Sequence, residues 1–141
     1  MNELLKQLCL LDAVSGDEGA VREFVISQIK DCCEYSVDNL GNIIAFKKGK
    51  KTAQKKVLID AHLDEVGLII THIEKDGFLR FKTVGGIDTS ALMLRRVLIN
   101  GKTLGVIGSK AVHLCSSDER KKLPDTDSLY IDIGASSLEE A

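Results

Sequence analysis

Residues 59–66 read Ile-Asp-Ala-His-Leu-Asp-Glu-Val, and no other stretch restricts the fold of this chain as tightly. Val57, Leu58 and Ile59 form an apolar run entering from a lysine-rich segment, the pattern of a strand buried on both faces of a sheet. The spacing predicts an interior strand over 57–61, with amphipathic helices carrying Leu4/Leu8 and Val21/Phe24/Val25 packed beside it. The run then breaks into Asp60, His62, Asp64 and Glu65, four polar groups within six positions. If strand geometry persists to Asp64, then His62 and Asp64 point to one face. A neutral imidazole beside a carboxylate, at a strand's C-terminal end, is how a metal ligand and its orienting group are often delivered. A solvated strand end is the plainer reading. The apolar strand before the pair and Glu65-Val66-Gly67 after it favour the metal ligand.

Composition narrows the partners. The chain has 141 residues, enough for one domain with its own core, and is 44% apolar and 28% charged. A net charge of −2 gives no reason to expect nucleic acid or an anionic membrane as partner. No apolar stretch approaches the roughly 18 residues of a membrane span, and no basic-then-apolar leader opens the sequence. The expected compartment is the cytoplasm. The four cysteines agree with it. Cys32 and Cys33 are adjacent and cannot readily pair, Cys9 and Cys115 lie in apolar contexts, and buried or partly buried free thiols are expected.

Leu4, Leu5, Leu8 and Leu11 lie at helical spacing and predict a helix over the first dozen residues. Ser15 and Glu18 have capping-box spacing before a second helix whose covered face is Val21, Phe24, Val25 and Ile29. Strands are predicted at 35–38 and 43–46, joined by Asn39-Leu40-Gly41-Asn42. Six lysines fall within the ten positions 47–56. With no aromatic interleaved for base stacking, they read as a solvated hairpin tip.

After Gly67 the pattern changes to short strands and tight turns, at 68–73, 78–84, 97–99, 103–107 and 129–133. Asp76-Gly77 and Asn100-Gly101 supply the turns. Ser136 and Glu139 have capping-box spacing at the start of a final helix of about one turn, too short to be stable alone. Either that terminus frays or the polypeptide is the front part of a longer protein.

Several segments, in order, carry a resemblance. They are Ser15-Gly16-Asp17-Glu18 with Val21-Arg22, Asp38-Asn39-Leu40-Gly41-Asn42, Ala61-His62-Leu63-Asp64-Glu65-Val66-Gly67 and Gly105-Val106-Ile107-Gly108-Ser109-Lys110. Val112-His113-Leu114, Glu119-Arg120-Lys121-Lys122 and Leu129-Tyr130-Ile131-Asp132-Ile133-Gly134-Ala135 complete the set. Together they resemble the glutamyl aminopeptidase and deblocking (tetrahedral) aminopeptidase family of cytosolic dinuclear metallopeptidases. The resemblance implies an α/β fold class. Residues 1–67 would be the N-terminal part of a catalytic α/β domain, and 68–141 part of a β-rich, PDZ-like or β-barrel insertion domain used in assembly. It implies that His62 binds one of two divalent metal ions, zinc or cobalt, and that Asp64 is the acidic catalytic-site residue supporting that ligand. In such enzymes a metal-bridging water attacks the first peptide bond, with a glutamate as general base.

The family's bridging aspartate, paired glutamates, further acidic ligand and second histidine fall beyond Ala141. Glu139-Glu140 aligns with a helix start and not with the base, and neither His72 nor His113 is carried over as a ligand. One histidine and one carboxylate cannot make a dinuclear site. The expectation is the N-terminal part of a metal-dependent aminopeptidase acting on peptides and assembling as a homo-oligomer. The isolated chain would be inactive, with weak or absent metal binding and no nucleic-acid or membrane partner. The alternative is a non-enzymatic binding or assembly module, or a decayed enzyme. Glycan hydrolysis, a third reading, needs a spaced carboxylate pair that nothing specific in the sequence supports.

Overall fold

The computed structural model describes residues 2–51, 54–118 and 121–141, except for the side chain of Val112. Helices and antiparallel sheet are mixed, and the chain divides into two compact units, Met1–Glu65 and Val66–Ala141.

In the first unit, α1 (Glu3–Leu8) is capped by Asn2, whose side chain accepts from the Leu4 amide at 3.1 Å. It is shorter than its leucine spacing predicts. The Leu10 and Leu11 amides turn back to Gln7 and Leu8, three residues earlier, so the α-ladder ends before Leu11. No residue of α1 is buried. Helix α2 (Gly19–Ile29) buries Val21 and half-covers Phe24, Val25 and Ile29. The expected capping box is not formed. Glu18, the residue flanking α2, makes no side-chain cap, and its carboxylate accepts instead from the Gly16 amide at 2.6 Å.

Strands β1 (Glu34–Val37) and β2 (Ile43–Phe46) form an antiparallel hairpin. Its turn is organised by Asp38, whose carboxylate accepts from the Leu40 and Asn42 amides, both at 2.9 Å, and from the Asn42 side chain at 2.8 Å. Gly41 has φ +88°, and a Cβ there would lie 2.7 Å from the Arg22 guanidinium. The Asn42 side chain, then its backbone amide, hold the Asp38 carboxyl below its ordinary 3.8. A carboxyl with a depressed folded value stabilises fully above the unfolded value, and that support is lost as pH falls through the folded one. Acidification below 3.8 should therefore lower the protection of the Leu40 and Asn42 amides, bringing their exchange closer to the intrinsic rate at each pH. Asp38→Ala should exchange faster at neutral pH and lose this acid step; identical acid profiles for the two proteins would refute the assignment.

The interior strand expected over 57–61 is absent. Those residues are irregular, and Val57, Leu58 and Ile59 are 88%, 90% and 89% exposed. A strand covered on both faces exists only with hydrogen-bonding neighbours and packed layers. Among the described residues nothing pairs with this run, and neither helix packs on it as expected. The segment 47–56 is likewise outside any strand and exposed where described; Thr52 and Ala53 lie outside the described residues.

The second unit is a five-stranded antiparallel sheet in the order β3-β4-β7-β6-β5. The strands are β3 (Gly67–Ile73), β4 (Leu79–Val84), β5 (Arg96–Ile99), β6 (Thr103–Gly108) and β7 (Tyr130–Asp132). A one-turn helix, α3 (Thr89–Leu92), is capped by Asp88. Alternating positions face the core, which consists of Leu79, Phe81, Leu92, Ile107, Leu129 and Ile131. Leu79, Ile131 and Ile107 are direct cross-strand partners, one line through the middle of the sheet. Asn100 and Gly101 have φ of 50° and 66°, a left-handed pair within the three-residue connection between Ile99 and Thr103.

Residues 137–140 form a turn and not the expected helix, and the Ser136 amide donates to Glu140, at 2.8 Å, rather than to Glu139. None of the four cysteines is in a disulfide; Cys33 and Cys115 are partly buried, whereas Cys9 and Cys32 are exposed, contrary to expectation.

Candidate functional site

His62 and Asp64 meet without the strand alternation expected to align them. The His62 Nδ1 lies 2.9 Å from the Asp64 carbonyl oxygen and 3.0 Å from Asp64 Oδ1. Both partners can only accept, so the Nδ1 carries the hydrogen and donates. The Nε2 lone pair is left outward on a side chain that is 85% exposed, with Asp64 42% exposed behind it.

The other oxygen of Asp64 is also engaged. Ser15 Oγ donates to Asp64 Oδ2 at 2.5 Å across 49 positions of sequence. The backbone makes this meeting possible. Val14 and Glu65 form an isolated parallel bridge, with the Glu65 amide donating to the Ala13 carbonyl at 2.7 Å. The Glu65 carboxylate closes the other side by accepting from the Ala13 amide at 3.3 Å, and Ala13 is buried. Glu65 thus clamps the two segments together, while Gly16, at φ +94°, turns the chain away after Ser15. Asp60 is exposed and takes no part in this network. The Ser15 hydroxyl first, and the His62 ring second, hold the Asp64 carboxyl below its ordinary 3.8. An ionised Asp64 at neutral pH is what the Nδ1–H tautomer needs as a partner.

Sequence reasoning singled out His62 and Asp64 and missed Ser15, whose spacing to Glu18 pointed to a helix cap. His72 lies on β3 beside a bulge, and His113 on a 3-10 turn, both exposed and both in the second unit. Of the Glu119-Arg120-Lys121-Lys122 motif, Glu119 and Arg120 lie outside the described residues.

An imidazole with its Nδ1 anchored on a carboxylate and its Nε2 free has the donor chemistry of one ligand to a divalent metal. His62 fits that part. Among the described residues, no group of three or more His, Cys, Asp or Glu is arranged to hold an ion. Nor is any helix among them long and apolar enough to cross a membrane.

The features on hand define a mixed helix-and-sheet protein presenting an exposed, carboxylate-backed histidine. Residues 41–141 match the M42 glutamyl aminopeptidase family, and the chain belongs to it. FrvX of Escherichia coli (strain K12) is 43% identical over 98% of this chain and 39% of its own length. A TET aminopeptidase from a marine sediment Thaumarchaeota archaeon superposes with a TM-score of 0.91 at 37% identity, covering 99% of this chain and 40% of that one. The TET1 peptidase of Pyrococcus horikoshii, which can assemble into a tetrahedron or a large octahedral shell, superposes with a TM-score of 0.80 at 41% identity. That match covers 99% of this chain and 42% of the other. The chain therefore spans about 40% of the length of proteins like these.

Proposed function

We propose that this chain is the N-terminal part of a metal-dependent aminopeptidase that removes N-terminal residues from peptides in the cytoplasm. Its residues 1–67 belong to the catalytic α/β domain and 68–141 to a PDZ-like or β-barrel insertion. The observation that carries the reading is the His62–Asp64 pair, together with membership of a family of aminopeptidases. His62 offers Nε2 to one of two divalent ions, zinc or cobalt. Asp64 holds the Nδ1 proton, and so keeps the ring in the ligating tautomer and orientation. Bound metal supplies Lewis acidity toward the peptide carbonyl and a nucleophilic water at neutral pH. The remaining ligands and the general base belong to the polypeptide beyond Ala141.

The test is turnover of aminoacyl-arylamides by the polypeptide extended past Ala141 in the same frame, with zinc or cobalt added. Metal-dependent release of the arylamine is expected. Asp64→Ala should lower it about 10–100-fold, the usual cost of losing a group behind a metal ligand, and His62→Ala should lower it further. Undiminished turnover in His62→Ala would overturn the assignment.

Assembly into a homo-oligomer is part of the same proposal, and a specific surface supports it. Leu98 and Leu104 face each other across β5 and β6 at 55% and 66% exposure, with Val106, 43% exposed, beside them. Adjacent apolar side chains left in water favour burial against another surface. Leu104→Glu should shift the sedimentation profile toward monomer; an unchanged profile would remove this face from the interface.

A further inference from the structure

We infer that Ser15 is a positioning residue for the candidate metal ligand, acting on His62 through Asp64. The inference rests on the proposed His62–Asp64 reading and extends it to a loop 49 positions away.

The argument begins with what His62 lacks. Residues 57–64 are irregular, so no hydrogen-bonded ladder sets the direction in which the Asp64 side chain points. An aspartate's terminal torsion is broad and roughly two-fold, so a carboxylate held through one oxygen can still swing about its own axis. A swinging carboxylate presents Oδ1 to the imidazole only part of the time. Water then competes for the place of Oδ1 at Nδ1, the Asp64 carbonyl is left as the one protein acceptor there, and the neutral tautomers of an 85% exposed ring shift toward their solution balance.

Ser15 removes that freedom. Its hydroxyl takes Oδ2 at 2.5 Å while the ring takes Oδ1 at 3.0 Å, so the carboxylate plane is fixed at both ends. An O–H donating to an ionised carboxylate is among the stronger protein hydrogen bonds and is short for that reason. The hydroxyl is itself held. The Val14–Glu65 bridge fixes the residue before it against the residue after Asp64, and the Asp17 amide closes on the Val14 carbonyl at 2.7 Å. Ser15 and Asp64 therefore sit on two backbones joined directly beside their contact. The sequence signature that pointed to a helix cap is used to orient an imidazole.

The experiment uses the chain itself and needs neither metal nor turnover. Long-range proton–nitrogen correlation spectra of 15N-labelled protein, at a mildly alkaline pH, read the His62 ring nitrogens and hence the tautomer. The wild-type ring should show a protonated Nδ1 and a bare Nε2. Ser15→Ala should move both resonances toward the averaged values of a free imidazole, and Asp64→Ala, which leaves only the backbone carbonyl of residue 64 as acceptor, should move them further in the same direction. Ser15→Ala spectra matching wild type, while Asp64→Ala moves them, would overturn the role of Ser15 and leave the His62–Asp64 pair standing. Asp64→Ala spectra matching wild type would overturn the pair and the inference with it. The Ala13 and Glu65 amide signals report whether the bridge survives in Ser15→Ala. Should the bridge be lost there, Ser15→Cys decides, since a thiol keeps the size with a weaker donor. An intermediate tautomer position in Ser15→Cys supports the inference, and a wild-type position overturns it.

Discussion

Supplied with zinc or cobalt, the purified 141-residue chain should release no arylamine from aminoacyl-arylamides above background. Metal-assisted hydrolysis needs an ion held by several protein donors with one position open, and a base to take the proton from the attacking water. The described residues provide one imidazole and one carboxylate, and no cluster of three donors accompanies them. An ion held by a single exposed histidine exchanges freely with solvent and has no base fixed beside it. Since enzymes exceed the uncatalysed reaction by at least about 10⁶-fold, the expected deficit relative to a complete enzyme is the whole of that factor. Chelation should change nothing. Metal-dependent turnover that co-purifies with the chain and disappears in Asp64→Ala would overturn the expectation, and would mean that other residues of this chain, or another chain, supply the missing groups.

What was legible before any coordinates, and what was not, divides along the range of the interactions. The strands of the second unit were readable because their signal is local. Leu79 and Phe81, or Gly105 and Ile107, alternate with outward neighbours, and Asn100-Gly101 names its own turn. The β1–β2 hairpin was readable for the same reason, with Asp38 and Gly41 in its turn, although β1 lies one residue earlier than its apolar pattern suggests. The 57–61 run was misread because a strand covered on both faces is defined by its neighbours, and its own composition is silent on whether they are there. Within the site, His62 and Asp64 were found from their two-residue spacing, but for a reason that does not operate: side-chain closure and not strand alternation brings them together. Ser15 could not have been found. Its partner is 49 positions away and reached only through one parallel bridge, and a serine three residues before a glutamate is an equally good helix-cap signal. A cap would have used the hydroxyl to accept from the Glu18 amide; here it donates to Asp64 instead.

The sheet of the second unit should show a coupling between Gly105 and Ile131 that neither residue reveals alone. Ile131 is 1% exposed at the centre of the line formed with Leu79 and Ile107. A Cβ placed on Gly105 would lie 2.5 Å from the Ile131 Cγ2 methyl, well inside contact distance. The glycine is thus a space reserved for the isoleucine, since backbone strain has no part in it. Ile131→Ala should cost about 2–5 kcal/mol through lost transfer energy and a residual cavity. Gly105→Ala should cost roughly 1–3 kcal/mol through overpacking. In the double variant the alanine methyl occupies part of the vacated volume, so its cost should fall below the sum of the singles by about 1 kcal/mol. Ile131→Val retains the Cγ2 methyl and so supplies the control, as its combination with Gly105→Ala should be additive. Urea midpoints at constant slope measure these values, followed through Tyr130 in a Tyr35→Phe background so that the other tyrosine and its unit stay silent. Additivity in both pairs would show that the sheet relaxes around Gly105 by moving β6, and that Ile131 does not hold the position the contact assigns to it.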